Sequence, residues 1–105
     1  MSFDVVLLSR AQQDFAKIID WLAVNSPAVL SRWFDAYERI LDRLEREPLS
    51  FGFAPEKELL NFALRQAIFR TGKGKTYRLL FIVIGEQVRV LHIRGPGQDF
   101  VADAN

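Results

Sequence analysis

The apolar positions of this chain change their period as it is read. "FDVVLL" (3–8) is a short run rich in β-formers and predicts a strand. From Ser9 the spacing becomes helical, with Ala11, Phe15, Ile18, Ile19 and Leu22 falling on one face. Ser9 is read as the N-cap, with Gln12 three residues on completing a capping-box pattern. Asn25 closes this helix. Ser26 and Pro27 open the next, as N-cap and first helical residue. Its stripe is Leu30, Trp33, Phe34, Tyr37, Ile40, Leu41 and Leu44, with Asp35/Arg39 and Asp42/Arg46 on the wet side. Pro48 ends it. Helices joined by so short a turn are expected to run antiparallel.

The second half reads differently. "LSFGFAPEKELLNF" (49–62) is expected to be a loop, with room for one helical turn near Glu58. "LRQAIFR" (64–70), "YRLLFIVI" (77–84) and "VRVLHIR" (88–94) predict strands, separated by the turns "TGKGK" (71–75) and "GEQ". "GPG" (95–97) stops the last strand, and residues 98–105 carry no clear pattern. The expected class is therefore α+β over a single domain, residues 1–105. An N-terminal strand and an antiparallel two-helix hairpin precede a three-stranded antiparallel sheet, and the first strand lies against the later ones.

The closing hairpin raises the question of function, because it is apolar on both faces. With a three-residue "GEQ" loop, Ile84 faces Val88, Leu80 faces His92 and Arg78 faces Arg94. One face then holds Arg78, Leu80, Ile82, Ile84, Val88, Val90, His92 and Arg94. The other packs Tyr77, Leu79, Phe81, Val83, Leu91 and Ile93 on the helices, with Arg89 its only charge. A two-residue loop would put the two arginines on opposite faces; the three-residue loop is the favoured reading. Helices can cover only one face, so the second is expected to be an exposed apolar patch with a cationic edge, a pattern that marks binding sites. A dimer interface, or coverage by residues 49–62, would serve the same surface.

Charge sharpens the picture. The net charge of the 105 residues is only +1, but residues 1–56 carry six Lys/Arg against nine Asp/Glu, and residues 57–94 carry eight against two. A basic working surface aimed at an anionic partner follows. Arg78 and Arg94, facing each other, would repel unless an anion sat between them. Arg65 lies nearby in sequence, and Lys73 and Lys75 of the basic turn are candidate phosphate contacts. The turn lacks the spacing of a phosphate-binding loop.

Other chemistry is sparse. The chain has no cysteine, which excludes disulfides and thiolate metal sites and fits a reducing cytoplasm. Its single histidine, His92, lacks partners for a metal site, and no cofactor motif is apparent. His92 can be a general base or a strand residue with a satisfied ring. Trp21, Trp33 and Tyr37 are read as packing residues. No run approaches the roughly 18 apolar residues of a membrane span, and the N-terminus lacks the basic region of a signal peptide.

The order of elements, the opening "LLSRAQQDFAKIIDWL", the "NSP" between helices and the closing "YRLLFIVIGEQVRVLHIRGPGQD" resemble the ParE/RelE toxin superfamily of bacterial type II toxin–antitoxin modules. The resemblance spans nearly the whole chain. It implies a small cytoplasmic toxin, neutralised by a cognate antitoxin whose free form is disordered and which covers the sheet. Leu80, Ile82, Val88, Val90 and His92 would then bind the antitoxin, and Arg65, Lys73, Lys75, Arg78 and Arg94 the target or a phosphate. A homodimer or a toxin–antitoxin hetero-oligomer is compatible with the resemblance. RelE-like members cut messenger RNA on the ribosome, which here would engage Arg65, Arg78, His92 and Arg94. ParE-like members bind DNA gyrase. Arg65, Arg78 and Arg94 match basic positions of the superfamily. Ala67 stands where a second basic residue is expected, Phe100 where a tyrosine would assist, and Gly95 where many relatives carry histidine. These departures favour gyrase binding over RNA cutting, with a non-toxic antitoxin-binding member as a third reading.

Overall fold

A computed structural model describes residues 2–57, 63–71 and 75–96. The elements are β1 (Asp4–Leu7), α1 (Ser9–Asn25), α2 (Pro27–Arg46), a 3-10 turn (Pro48–Ser50), β2 (Arg65–Thr71), β3 (Lys75–Ile84) and β4 (Gln87–Arg94). The sheet order is β1-β4-β3-β2, with β1 parallel to β4 and the other pairs antiparallel. This is the α+β architecture the hydrophobic pattern predicts. The expected turn near Glu58, Lys73 and the tail at 98–105 lie outside the described residues.

Both helix stripes face the sheet. Ala11 and Leu22 of α1 are buried, as are Trp33, Ala36, Tyr37, Ile40 and Leu44 of α2. They meet Ala67, Phe69, Tyr77, Leu79, Phe81, Val88, Val90 and Ile93 from the sheet. Trp33 is the hub. It stacks on Tyr37 at 5.1 Å and meets Phe69 and Tyr77 edge-on at 5.7 and 5.8 Å. Each fully buried large side chain contributes about 1.5–3 kcal/mol, so this cluster is a principal source of stability. Trp21 departs from expectation: it is 57% exposed. It precedes Leu22 by one residue, which turns it about 100° off the buried stripe.

The caps differ in detail. Leu8, not Ser9, is the N-cap of α1, and no side chain caps it. Its carbonyl accepts from the Gln12 amide at 3.0 Å, and the Gln12 side-chain amide donates to the Leu7 carbonyl at 2.9 Å. Gln12 thus ties α1 back to β1 instead of closing a capping box. Ser26 is the N-cap of α2 with Pro27 following, as expected, but its hydroxyl caps nothing.

The β3–β4 hairpin closes differently from the expected three-residue loop. Ile84 pairs with Gln87, so the turn is the two residues Gly85–Glu86, with Gly85 at φ 61°. That left-handed conformation suits the tight hairpin turns whose twist matches the strands. The pairs Val83–Val88 and Phe81–Val90 follow. The register then shifts, and Leu80 pairs with His92 and Arg78 with Arg94. Leu91 is the extra residue, a β-bulge that sets two residues of β4 against one of β3. The bulge restores the arginine pairing that the short turn alone would have lost. Between the turn and the bulge the faces are exchanged. Val88 and Val90 join the helix-packed core, while Leu91 packs with Leu80 on the opposite side. Arg89, paired with Ile82, is carried off the helix-packed face.

The second face is covered at its centre. Residues 52–54 run along the edge of β2, with Ala54 N–H donating to the Leu64 carbonyl (2.9 Å), Gln66 N–H to the Gly52 carbonyl (3.1 Å) and Phe53 bridging Arg65, and from Ala54 to Glu56 the chain covers the outer face. Ala54, Leu64, Leu80 and Leu91 form a satellite core there with Ile82 against it. Of the apolar patch expected from the sequence, Ile84 stays exposed and Ile82 is partly covered, and Ile68 of β2 adds an exposed apolar side chain to the same face.

Candidate functional site

The row across the outer face reads Ile68–Arg78–Arg94, from β2 inward. Arg70 is exposed two ladder pairs along from Ile68, so it shares this face. Sequence reasoning passed over Arg70, although the strand's period of two places it there.

Arg78 is held by the chain itself. Its Nη2 donates to Glu56 Oε2 at 2.6 Å and its Nη1 to Glu56 Oε1 at 3.0 Å, a two-pronged ion pair. Nη1 also donates to Gln66 Oε1 at 3.0 Å. The Glu56 side chain is fully buried and that of Arg78 is 17% exposed. For Arg78 the expected anion is thus an internal carboxylate from the covering segment. Twenty-two residues separate the partners, and nothing local in "FAPEKELL" marks Glu56 as buried.

The remaining candidates disperse. Arg65 pairs with Phe81, so it lies on the helix side of the sheet. Its Nη1 donates to the Phe51 carbonyl at 2.5 Å, and its guanidinium lies 4.3 Å from the centre of the Phe53 ring. Lys57 approaches the same ring at 4.2 Å, so two cations meet on an aromatic side chain that is 46% exposed. Lys75 is paired with Thr71 at the far end of the ladder, also on the helix side. Of the four proposed target-binding residues that are described, only Arg78 and Arg94 are brought together.

The proposed antitoxin contacts are also redistributed. Leu80, Val88 and Val90 are fully buried and His92 is 3% exposed, with Ile82 partly covered. The reasons are the covering segment, for Leu80, and the register shift, for Val88 and Val90. His92 Nδ1 lies 3.7 Å from Asp14 Oδ2. Asp14 also accepts the Ile93 backbone N–H at 3.0 Å, and Arg10 flanks it at 3.5 Å. β1 ends beside Val90, so α1 uses Asp14 to satisfy the strand edge that β1 leaves. Among the described residues no cluster of His, Asp and Glu could hold a metal ion.

Burial pushes the Tyr37 hydroxyl up to about 12, and raises that of Tyr77. Both stay neutral at physiological pH, as packing residues of the aromatic core.

One parallel strand, a helical hairpin and an antiparallel three-stranded sheet make an α+β fold consistent with the ParE/RelE class of small toxins. A family model described as the ParE toxin of the type II toxin–antitoxin system, parDE, matches residues 5–100. The chain belongs to that family. It is a toxin of a type II toxin–antitoxin module, and membership implies a cognate antitoxin as partner. The search of curated proteins gave no match. No helix among the described residues is long and apolar enough to cross a membrane.

Proposed function

We propose that this toxin arrests growth by binding DNA gyrase in the cytoplasm, as a binder and not a catalyst, until its antitoxin neutralises it. The observation that carries this reading is the pairing of Arg78 with buried Glu56. A phosphate-activating arginine has to turn its donors toward substrate, and these donors are committed inside the protein. The burial of His92 supports the same reading, since a general base has to reach the proton it removes. What remains at the surface is a set of basic and apolar side chains, including Ile68, Arg70 and the Phe53 pair of cations, suited to contact with a large partner.

The Arg78–Arg94 pairing, with Arg70 on the same face, favours a second reading: ribosome-dependent cleavage of messenger RNA, in which Arg78 and Arg94 would meet the phosphate and His92 the proton, while Arg65, expected from the sequence to join them, lies on the opposite side of the sheet. Purified toxin separates the two. The gyrase reading expects loss of DNA supercoiling in a defined reaction, with ribosome-bound messages left whole. Intact supercoiling together with cut messages would overturn it. Induced expression without growth arrest would overturn both and leave a non-toxic antitoxin-binding protein.

A further inference from the structure

A cleft of about 630 Å³ opens at the far end of the molecule from the β3–β4 turn. It lies between the connected ends of the two helices and the strand ends of the sheet, on the helix side and therefore across the sheet from Arg78 and Arg94. Its size falls within the roughly 300–1,000 Å³ typical of ligand sites. Leu22, Val29 and Tyr77 supply apolar walls, and Trp21, the large aromatic that leaves the core, stands on its rim.

Charge decides what it would take. Lys17, Arg32 and Lys75 line the cleft from three different elements, and no carboxylate is among its described lining residues. None of the three cations makes an ion pair among the described residues. Thr71 adds a second, independent feature. It lines the cleft, is 4% exposed, and its hydroxyl has no hydrogen-bond partner. Buried hydroxyls are ordinarily satisfied, so one left open beside a cleft points to a polar group that arrives with an occupant.

We propose that this cleft seats a segment of the antitoxin that carries carboxylates beside a large apolar side chain. The apolar side chain enters between Leu22, Val29 and Tyr77 and covers Trp21. The carboxylates meet Lys17, Arg32 and Lys75, and a polar group of the segment reaches Thr71. The inference rests on the antitoxin partnership and moves its anchor to this cleft from Leu80, Val88, Val90 and His92, which the fold buries. Charge complementarity of this kind steers association and weakens with salt.

The test uses the folded toxin, the product of the open reading frame beside its gene, and 15-residue peptides tiled along that product. At least one acidic tile with a large apolar residue is expected to bind and to shift Trp21 emission to the blue, Trp33 being buried throughout. Lys17→Glu/Arg32→Glu/Lys75→Glu should weaken binding of both tile and whole partner at least tenfold, and the deficit should shrink in high salt. Reversing Arg39 and Arg46, on the wet side of α2, should change little. If the whole partner binds but the triple variant binds it equally well, or Trp21 emission stays unmoved, the cleft assignment fails while the partnership stands. If the partner does not bind at all, both fail. A toxin dimer in sedimentation that Trp21→Glu dissociates would assign the cleft to a second copy and overturn the proposal.

Discussion

The ion pair of Glu56 and Arg78 lends itself to a quantitative test. Removing one member of a buried pair costs about 3–5 kcal/mol, because the other charge loses its compensation. The two directions are unequal here. Glu56→Ala leaves Arg78 with its 3.0 Å bond to Gln66 and 17% exposure, so the cost should fall near the low end, about 3 kcal/mol. Arg78→Ala leaves a fully buried carboxylate without this cation, and should cost nearer 5 kcal/mol. At roughly 4–8 °C per kcal/mol for a domain of this size, Glu56→Ala should lower Tm by roughly 12–24 °C. Replacing both by apolar residues of similar volume, Glu56→Leu with Arg78→Met, should return stability to within about 1 kcal/mol of the parent. Urea unfolding followed by circular dichroism, run as a double-mutant cycle, measures all four states. A cycle in which the single losses simply add, or a Glu56→Ala loss below about 1 kcal/mol, would refute the clamp.

Two further outcomes follow from the fold. The folded chain keeps the Tyr37 proton up to about 12, against 10.0 for an ordinary tyrosine, so the unfolded chain releases it first as pH rises. Its contribution is complete below pH 10 and is lost as pH climbs through 10 toward 12, about 3 kcal/mol at 1.4 kcal/mol per unit, with Tyr77 acting in the same direction; Tyr37→Phe should flatten that slope in chemical denaturation series, and an unchanged slope would count against it. Gly85→Ala should cost about 1–2 kcal/mol although nothing lies within 4 Å of the added methyl, because φ of 61° is itself the strain; Gly85→Asn should cost less, and equal losses would contradict the backbone origin.

The helical hairpin was legible because each stripe is a local pattern. Trp33, Tyr37 and Leu44 fall where the 3.6-residue period puts them, and Trp21 fails because it sits one step off. The β3–β4 hairpin shows a subtler limit. A three-residue loop and a two-residue turn followed by one bulged residue give the same count from Ile84 to Arg94, so both bring Arg78 opposite Arg94. They differ only between the turn and the bulge, and there Val88, Val90, Leu91 and Arg89 take the faces that the sequence reading had reversed.

By itself, then, the sequence determined the order of elements, the core stripes, the arginine pairing and the resemblance that the family match bears out. Periodicity and turn chemistry act over a few residues and are written into neighbouring positions. Only the tertiary structure decided that Glu56 neutralises Arg78, that Ala54 and Glu56 close the outer face, and that Lys17, Arg32 and Lys75 surround one cleft. Those arrangements join residues far apart in the chain. They form because a buried charge demands a partner and an apolar face demands cover, whichever distant segment supplies them.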